Sequence, residues 1–248
     1  MSDPAYDMLD AIAWHSRGFA AAAVGNLGAG VEHCGEWRVA DLVWHLTGVQ
    51  WFWATIVEDR LDAPPDESAR PGRPEDDALL DTFEEGTHRL VEVLRAADPS
   101  SHVWTWAPAQ QHVAFVVRHQ VQEAAVHHWD ARHAAGGELQ IEPLVAADAV
   151  DEFLTFSVSS DVDPADPPRA ALDGAFVLRC DDTDAAWTLT DGATPGTVAT
   201  TRGATPELPA LVANASDLLL WLYGRVRLPS GPTPDGLIAR FRALTFTD

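Results

Sequence analysis

The residues best suited to chemistry lie in one stretch, VVRHQVQEAAVHHWDARHAAGG (116–137), which sets a glutamate, an aspartate and four histidines among alanines and valines. On a helix, Glu123 and His127 are four residues apart, so their side chains project from one face about one turn from each other. A carboxylate and an imidazole in this arrangement are able to hold one metal ion. The spacing therefore predicts part of a metal site.

The same helix has two faces that could be buried. One contains Glu123 and His127 and follows a 4, 3, 4, 3, 4 spacing through Val116, Gln120, Glu123, His127, Asp130 and Ala134. The other consists of Val117, Val121, Ala124, His128 and Ala131. If the second face is the buried one, Glu123 and His127 lie nearer solvent and their spacing does not indicate a metal site. Periodicity alone leaves both faces open.

A second helical segment, 39–60, supplies a further candidate. His45 is the only polar member of the face formed by Leu42, His45, Val49, Phe52 and Ile56. A buried imidazole without a partner costs on the order of 1–3 kcal/mol, so His45 is expected to bond a carbonyl, pair with Glu123, or bind an ion. With Glu123 and His127 available we favour the ion. Two imidazoles and one carboxylate suit zinc with one open position, and also fit iron(II) or nickel.

Neighbouring polar residues have weaker signals. Asp130 is able to accept the second ring N–H of a ligand histidine, as metal sites often require, or it is a solvated acid. His119, one turn before Glu123, is expected to be exposed unless it supports the site. His128 points about 100° away from His127 and should not share its ion. His133 is expected at the surface.

The elements that would position these residues form two groups. Four amphipathic segments within 1–137, separated by glycine and by the proline-rich loop 61–74, predict a four-helix bundle. Residues 138–248 predict an α+β domain: a helix at 144–158, an acidic loop at 160–170, short antiparallel strands at 174–180, 185–191 and 194–202, a further strand within 207–214, and a helix at 215–226 capped by Ser216. We therefore expect two domains, 1–137 and 138–248.

Composition excludes several classes of function. The net charge is −22 and every basic residue is arginine, which disfavours binding to nucleic acid or to an anionic membrane surface. The first residues lack the basic start and apolar core of a secretion signal, and no apolar run approaches roughly 20 residues. Cys34 and Cys180 are expected to be reduced thiols. These features predict a cytoplasmic protein.

Three segments together resemble the mycothiol-dependent maleylpyruvate isomerase family: WRVADLVWHL (37–46), WTWAPAQQHVAFVVRHQVQEAAVHHWDARHAAGG (104–137) and ASDLLLWLYGRVRLP (215–229). The resemblance implies an N-terminal DinB-like four-helix bundle and a small C-terminal α+β domain of sterol-carrier-like shape. It also implies a divalent metal, usually zinc, held by His45, Glu123 and His127. Mycothiol, a low-molecular-weight thiol, would be the cosubstrate.

In such a family the metal-bound thiolate attacks a small electrophile, for cis-trans isomerisation or for S-transfer. The resemblance further implies that Arg225, in the LWLYGR motif, faces the active site and orients an anionic substrate; otherwise it is a cation that stabilises a helix C-terminus. Three alternatives stay open. They are a non-catalytic metal or small-ligand binding protein, a metal-free protein in which Glu123 and His45 pair, and a metal-dependent hydrolase.

Overall fold

The computed structural model of the chain describes residues 6–158 and 169–246. The chain divides into two units, Met1–Gln140 and Ile141–Asp248. The first contains four helices, α1 (Met8–Ala23), α2 (Val39–Asp59), α3 (Leu79–Ala96) and α4 (Val113–Ala134). The second contains α5 (Pro143–Phe156), strands β1 (Ala175–Cys180), β2 (Ala186–Asp191), β3 (Val198–Arg202) and β4 (Ala210–Ala213), and helices α6 (Ala215–Leu222) and α7 (Asp235–Arg242). The predicted fold class, a helical bundle followed by a small α+β domain, is confirmed. Most of the predicted loop 160–170 lies outside the described residues.

Side-chain caps mark the beginning of two bundle helices, α1 and α4. The Asp7 carboxylate accepts the Asp10 N–H at 3.0 Å before α1, and the His112 ring accepts the Phe115 N–H at 3.2 Å before α4. Helix α2 ends at Arg60, whose φ of 52° is left-handed and stops further helical hydrogen bonding. These local signals set where α1 and α4 begin and where α2 ends.

The bundle is held together by apolar side chains from all four helices. Helix α1 packs on α3 and α4, and α2 packs on α3 and α4. Buried members of this core include Phe19, Leu42, Val43, Leu46, Leu79, Phe83 and Ala131. Both candidate faces of α4 are largely buried, since Val116 and Asp130 on one face and Val121 and Ala131 on the other are nearly inaccessible. Periodicity offered the two faces as alternatives, but both are largely buried in the structure.

The second unit is built on a four-stranded sheet in the order β3-β2-β1-β4. The first three strands form the predicted antiparallel meander, whereas β4 pairs in parallel with β1. The predicted cap of the following helix was wrong. Asn214 caps α6 by accepting the Asp217 N–H at 2.8 Å, and the buried Ser216 hydroxyl instead accepts the Ile141 N–H at 3.1 Å. Helix α7 was not predicted; its Phe241 packs on Phe176 within the sheet unit.

No helix among residues 6–158 and 169–246 is both long and apolar enough to cross a lipid bilayer.

Candidate metal centre

Two helices bring His45, Glu123 and His127 together. Helix α2 supplies His45, and α4 supplies Glu123 and His127 one turn apart. The Glu123 Oε2 atom lies 3.5 Å from His127 Nε2 and 4.0 Å from His45 Nε2. The two imidazole rings meet edge to face, with centroids 5.4 Å apart. The geometry thus places two ring nitrogens and one carboxylate oxygen around a common point.

These separations suit an ion better than direct pairing. Ligands about 2.1 Å from a tetrahedral zinc ion stand about 3.4 Å from one another. Glu123 Oε2 is buried and accepts no hydrogen bond from any described residue. A buried carboxylate oxygen left in that state costs energy, and a cation between it and the two imidazoles would remove the cost. The residues present therefore fit a divalent ion.

The sequence analysis treated His45 as a buried residue, and the structure shows it partly exposed. The side chain of His45 is 35% exposed, so burial alone does not force this imidazole to find a partner. Glu123 and His127 are better shielded, with side chains 17% and 14% exposed. The site is consequently open to solvent on the α2 side, which leaves access for a small molecule.

Asp130 lies behind the site. Its side chain is fully buried, and its Oδ2 atom accepts the Nδ1–H of His127 at 2.9 Å. This bond places the ring proton on Nδ1 and leaves the Nε2 lone pair directed towards Glu123. The Cys34 thiol lies 3.9 Å from the same carboxylate oxygen. Asp130 therefore has the contact expected of a residue that orients a ligand histidine.

His119 occupies a different position from the one expected. The sequence predicted an exposed side chain, but His119 is only 6% exposed and its Nε2 atom lies 3.9 Å from Glu123 Oε1. Its ring packs against Trp53, Trp106 and Phe115. The spacing of four residues before Glu123 could have indicated this contact. Phe115 lies one turn before His119 on α4, but Trp53 comes from α2 and Trp106 from the loop before α4, and periodicity does not reveal these two contacts.

Sequence reasoning missed a buried contact between two histidines, one on α1 and one on the opposite face of α4. His128 faces α1, where its Nδ1 atom lies 3.2 Å from Nδ1 of His15. Burial, and then the neighbouring His128, lowers the pKa of His15 to about 3; burial, and then the charge of Arg132, lowers the pKa of His128 to about 4. Both imidazoles are therefore neutral at pH 7. His128 packs against Gly18 and His15 rather than beside His127, as its angle on the helix indicated.

Arg225 belongs to the second unit. Its guanidinium donates to the Tyr223 carbonyl oxygen at 2.9 Å and lies 5.7 Å from the centre of the Tyr223 ring. This contact with a helix C-terminus is the structural role considered for Arg225 above. Its role towards a substrate stays a prediction.

Two further groups of potential ligands lie along α4. Cys34, His127 and Asp130 form one, in which His127 would use Nδ1, the atom already bonded to Asp130. Glu32, His33 and His133 form the other. In each group, and in the group of His45, Glu123 and His127, the candidate ligand atoms all lie within 4.8 Å of one another.

Comparison with known proteins gives a consistent result. The family model described as the mycothiol maleylpyruvate isomerase N-terminal domain matches residues 9–132. Two solved structures are similar over most of the chain: the crystal structure of the mycothiol-dependent maleylpyruvate isomerase and that of one of its histidine-to-alanine mutants. Each has a TM-score of 0.59 at 12% identity and covers 91% of this chain and 95% of the other. No curated protein sequence gives a significant match.

Proposed function

This chain belongs to the mycothiol maleylpyruvate isomerase family, and from that premise we propose that it is a metal-dependent enzyme. Its cosubstrate would be a low-molecular-weight thiol such as mycothiol. Its reaction would be cis-trans isomerisation of a small electrophile, or S-transfer to one. Maleylpyruvate, named for the solved relative, is the first substrate to test.

One observation carries the proposal. Glu123 Oε2 is buried without a hydrogen bond from the described residues and faces His127 Nε2 and His45 Nε2 at 3.5 and 4.0 Å. When bound there, a divalent ion such as zinc supplies the Lewis acidity that keeps a thiol deprotonated near neutral pH. We take His45, Glu123 and His127 as the ligands and Asp130 as the residue that orients His127.

Other features of the chain would orient the metal ligand, admit the reactants and orient the substrate. Asp130 holds the His127 ring in one tautomer, and the open side next to His45 leaves room for the thiol and the electrophile. In isomerisation the thiolate would add to the cis double bond, the resulting single bond would rotate, and elimination of the same thiolate would give the trans product. In S-transfer the adduct itself would be released. We propose Arg225 as a residue that orients an anionic substrate, since its planar guanidinium suits a carboxylate.

The alternatives predict different contacts or different behaviour. A metal-free core pair would need a direct Glu123–His45 hydrogen bond, and the 4.0 Å separation is too long for one. A binding protein would gain stability from ligand without turnover. A hydrolase built on the same ion would act without any thiol. A binding protein, a hydrolase and a thiol-dependent enzyme would all use the same three ligands. An activity assay is therefore needed to separate them.

The test is turnover of maleylpyruvate and of a panel of small electrophiles by the zinc-loaded protein, with and without mycothiol. We expect thiol-dependent turnover that is lost in His127→Ala. It should be kept in His88→Ala, which removes an exposed histidine from α3. Equal turnover in His127→Ala would refute the site. Hydrolysis products formed without any thiol would establish a hydrolase, and ligand-induced stabilisation without turnover would establish a binding protein.

A further inference from the structure

A second set of metal-ligating side chains lies on the surface of the helical unit, outside the site already described. Glu32 and His33 come from the loop between α1 and α2, and His133 comes from the last turn of α4. We propose that Glu32, His33 and His133 form a second divalent-cation site. Two imidazoles and one carboxylate suit ions that accept nitrogen ligands, such as Zn²⁺, Ni²⁺ and Cu²⁺.

The backbone of the loop that carries Glu32 and His33 is held by hydrogen bonds. The Val31 N–H donates to the Trp37 carbonyl at 2.9 Å, and the Cys34 N–H donates to the Val31 carbonyl at 3.1 Å. The side chain of Val31 is buried in the bundle core. Glu32 and His33 therefore follow an anchored residue within a hydrogen-bonded turn. Less conformational entropy would be lost when they close on an ion than in a free loop.

The third donor is fixed by stacking. The His133 ring lies nearly parallel to the buried Trp129 ring, with centroids 4.7 Å apart and planes 9° apart. The His33 ring lies 6.0 Å from that of His133, at 27°. His133 Nε2 is 2.9 Å from Glu32 Oε2. Aromatic contacts thus set the position of the histidine that meets the loop carboxylate.

The separations allow one ion to bridge all three groups. The ligand atoms lie within 4.8 Å of one another, against about 3.4 Å in a tetrahedral site. Closing on an ion therefore requires movements of about 1 Å, and Glu32 and His133 are exposed enough to make them. The remaining coordination positions would be filled by water. We therefore expect weaker binding and faster exchange here than at the shielded site of Glu123 and His127.

Electrostatics favour a cation at this place. The Glu32 carboxylate supplies a negative charge to the site, whereas the imidazoles of His33 and His133 bind a metal in their neutral form. The net charge of −22 also attracts cations to the surface as a whole. That general attraction is not selective, so the experiment must separate the imidazole site from scattered carboxylates.

The test is a calorimetric Zn²⁺ titration of the full chain after chelator treatment, in excess Mg²⁺ to occupy sites made of carboxylate oxygens alone. We expect two classes of Zn²⁺ binding in the wild type. His133→Ala should lose the weaker class, and Glu32→Gln should weaken it more than about tenfold, since loss of even an outer partner of a metal site costs that much. His88→Ala, an exposed histidine paired with Glu92, should keep both classes.

This inference does not rest on the proposed function, and the same titration separates the two. His127→Ala should lose only the tighter class. A weaker class that is absent from the wild type, unchanged in His133→Ala, or lost in His88→Ala would overturn the second site. A tighter class that is missing while the weaker one persists would overturn the site of the proposed function and leave this one standing.

Discussion

Replacing Asp130 by asparagine tests how the buried carboxylate supports the neighbouring metal ligand. Asp130→Asn keeps the shape of the side chain and one acceptor oxygen but removes the charge that faces His127 Nδ1 at 2.9 Å. The side chain is fully buried, so water would not restore what the substitution removes. We expect zinc to bind more weakly because the His127 ring is held less firmly and its Nε2 atom becomes less basic.

The magnitude follows from the single bond that changes. A hydrogen bond to a charged group contributes about 1.5–3 kcal/mol, and about 1.4 kcal/mol corresponds to a factor of ten in affinity. Asparagine retains part of the bond. We therefore expect the zinc dissociation constant to rise about tenfold, within the range of about 10- to 100-fold typical of such outer partners. At saturating zinc the stoichiometry should be unchanged.

The assay is competition for zinc between the protein and a chromogenic chelator of known affinity. Asp151→Asn is the matched control. It removes a largely buried carboxylate of the second unit, which accepts from the Trp187 ring N–H at 2.8 Å and from Arg202. Thermal unfolding of both variants would separate a loss of affinity from a loss of folded protein. An unchanged zinc affinity in folded Asp130→Asn would refute the orienting role of Asp130.

Three further predictions concern the bundle and the thiols. The folded pKa of His15 is about 3, below its unfolded value of 6.5, so its contribution to stability is complete above pH 6.5 and is lost as the pH falls towards 3. Urea unfolding should show about 2 kcal/mol lost by pH 5 from this residue alone, and a flat profile between pH 7 and 5 would contradict it. Gly18→Ala places a Cβ against the His128 ring and should lower the free energy of unfolding by about 1–3 kcal/mol, again measured with urea. Burial raises the pKa of Cys180 to about 11. A thiol reagent at pH 8 should therefore modify Cys180 only after unfolding, and should modify the half-buried Cys34 sooner. Fast modification of Cys180 in the folded protein would count against its burial.

Sequence reasoning worked best where local signals were strong. The four helices of the bundle and the first three strands have clear periodicity and turn residues, and the structure contains them. Helix α2 and these strands lie within about four residues of the predicted bounds. The cap of α6 was misplaced because Asn214 and Ser216 are both good capping residues, and only tertiary contacts show that Ser216 serves Ile141. Helix α7 is only eight residues long, too short for a clear helical periodicity, and it was missed.

The candidate site was predictable only in part. The four-residue spacing of Glu123 and His127, with His45 on a second helix, pointed to residues that the fold brings together. That they hold a metal stays a prediction. The contacts of His119 with Trp53 and Trp106, and of His15 with His128, depend on how the helices and the loop before α4 pack together. A single sequence does not contain that information in its periodicity.

The most direct test of the central claim is metal content by elemental mass spectrometry. It would be measured on untagged protein purified without chelator, supplied with zinc and then freed of loosely bound metal. The wild type and His88→Ala should keep about one ion per chain, and His127→Ala should keep almost none. Little metal in the wild type, or an equal amount in His127→Ala, would contradict the assignment of His45, Glu123 and His127 as the metal ligands.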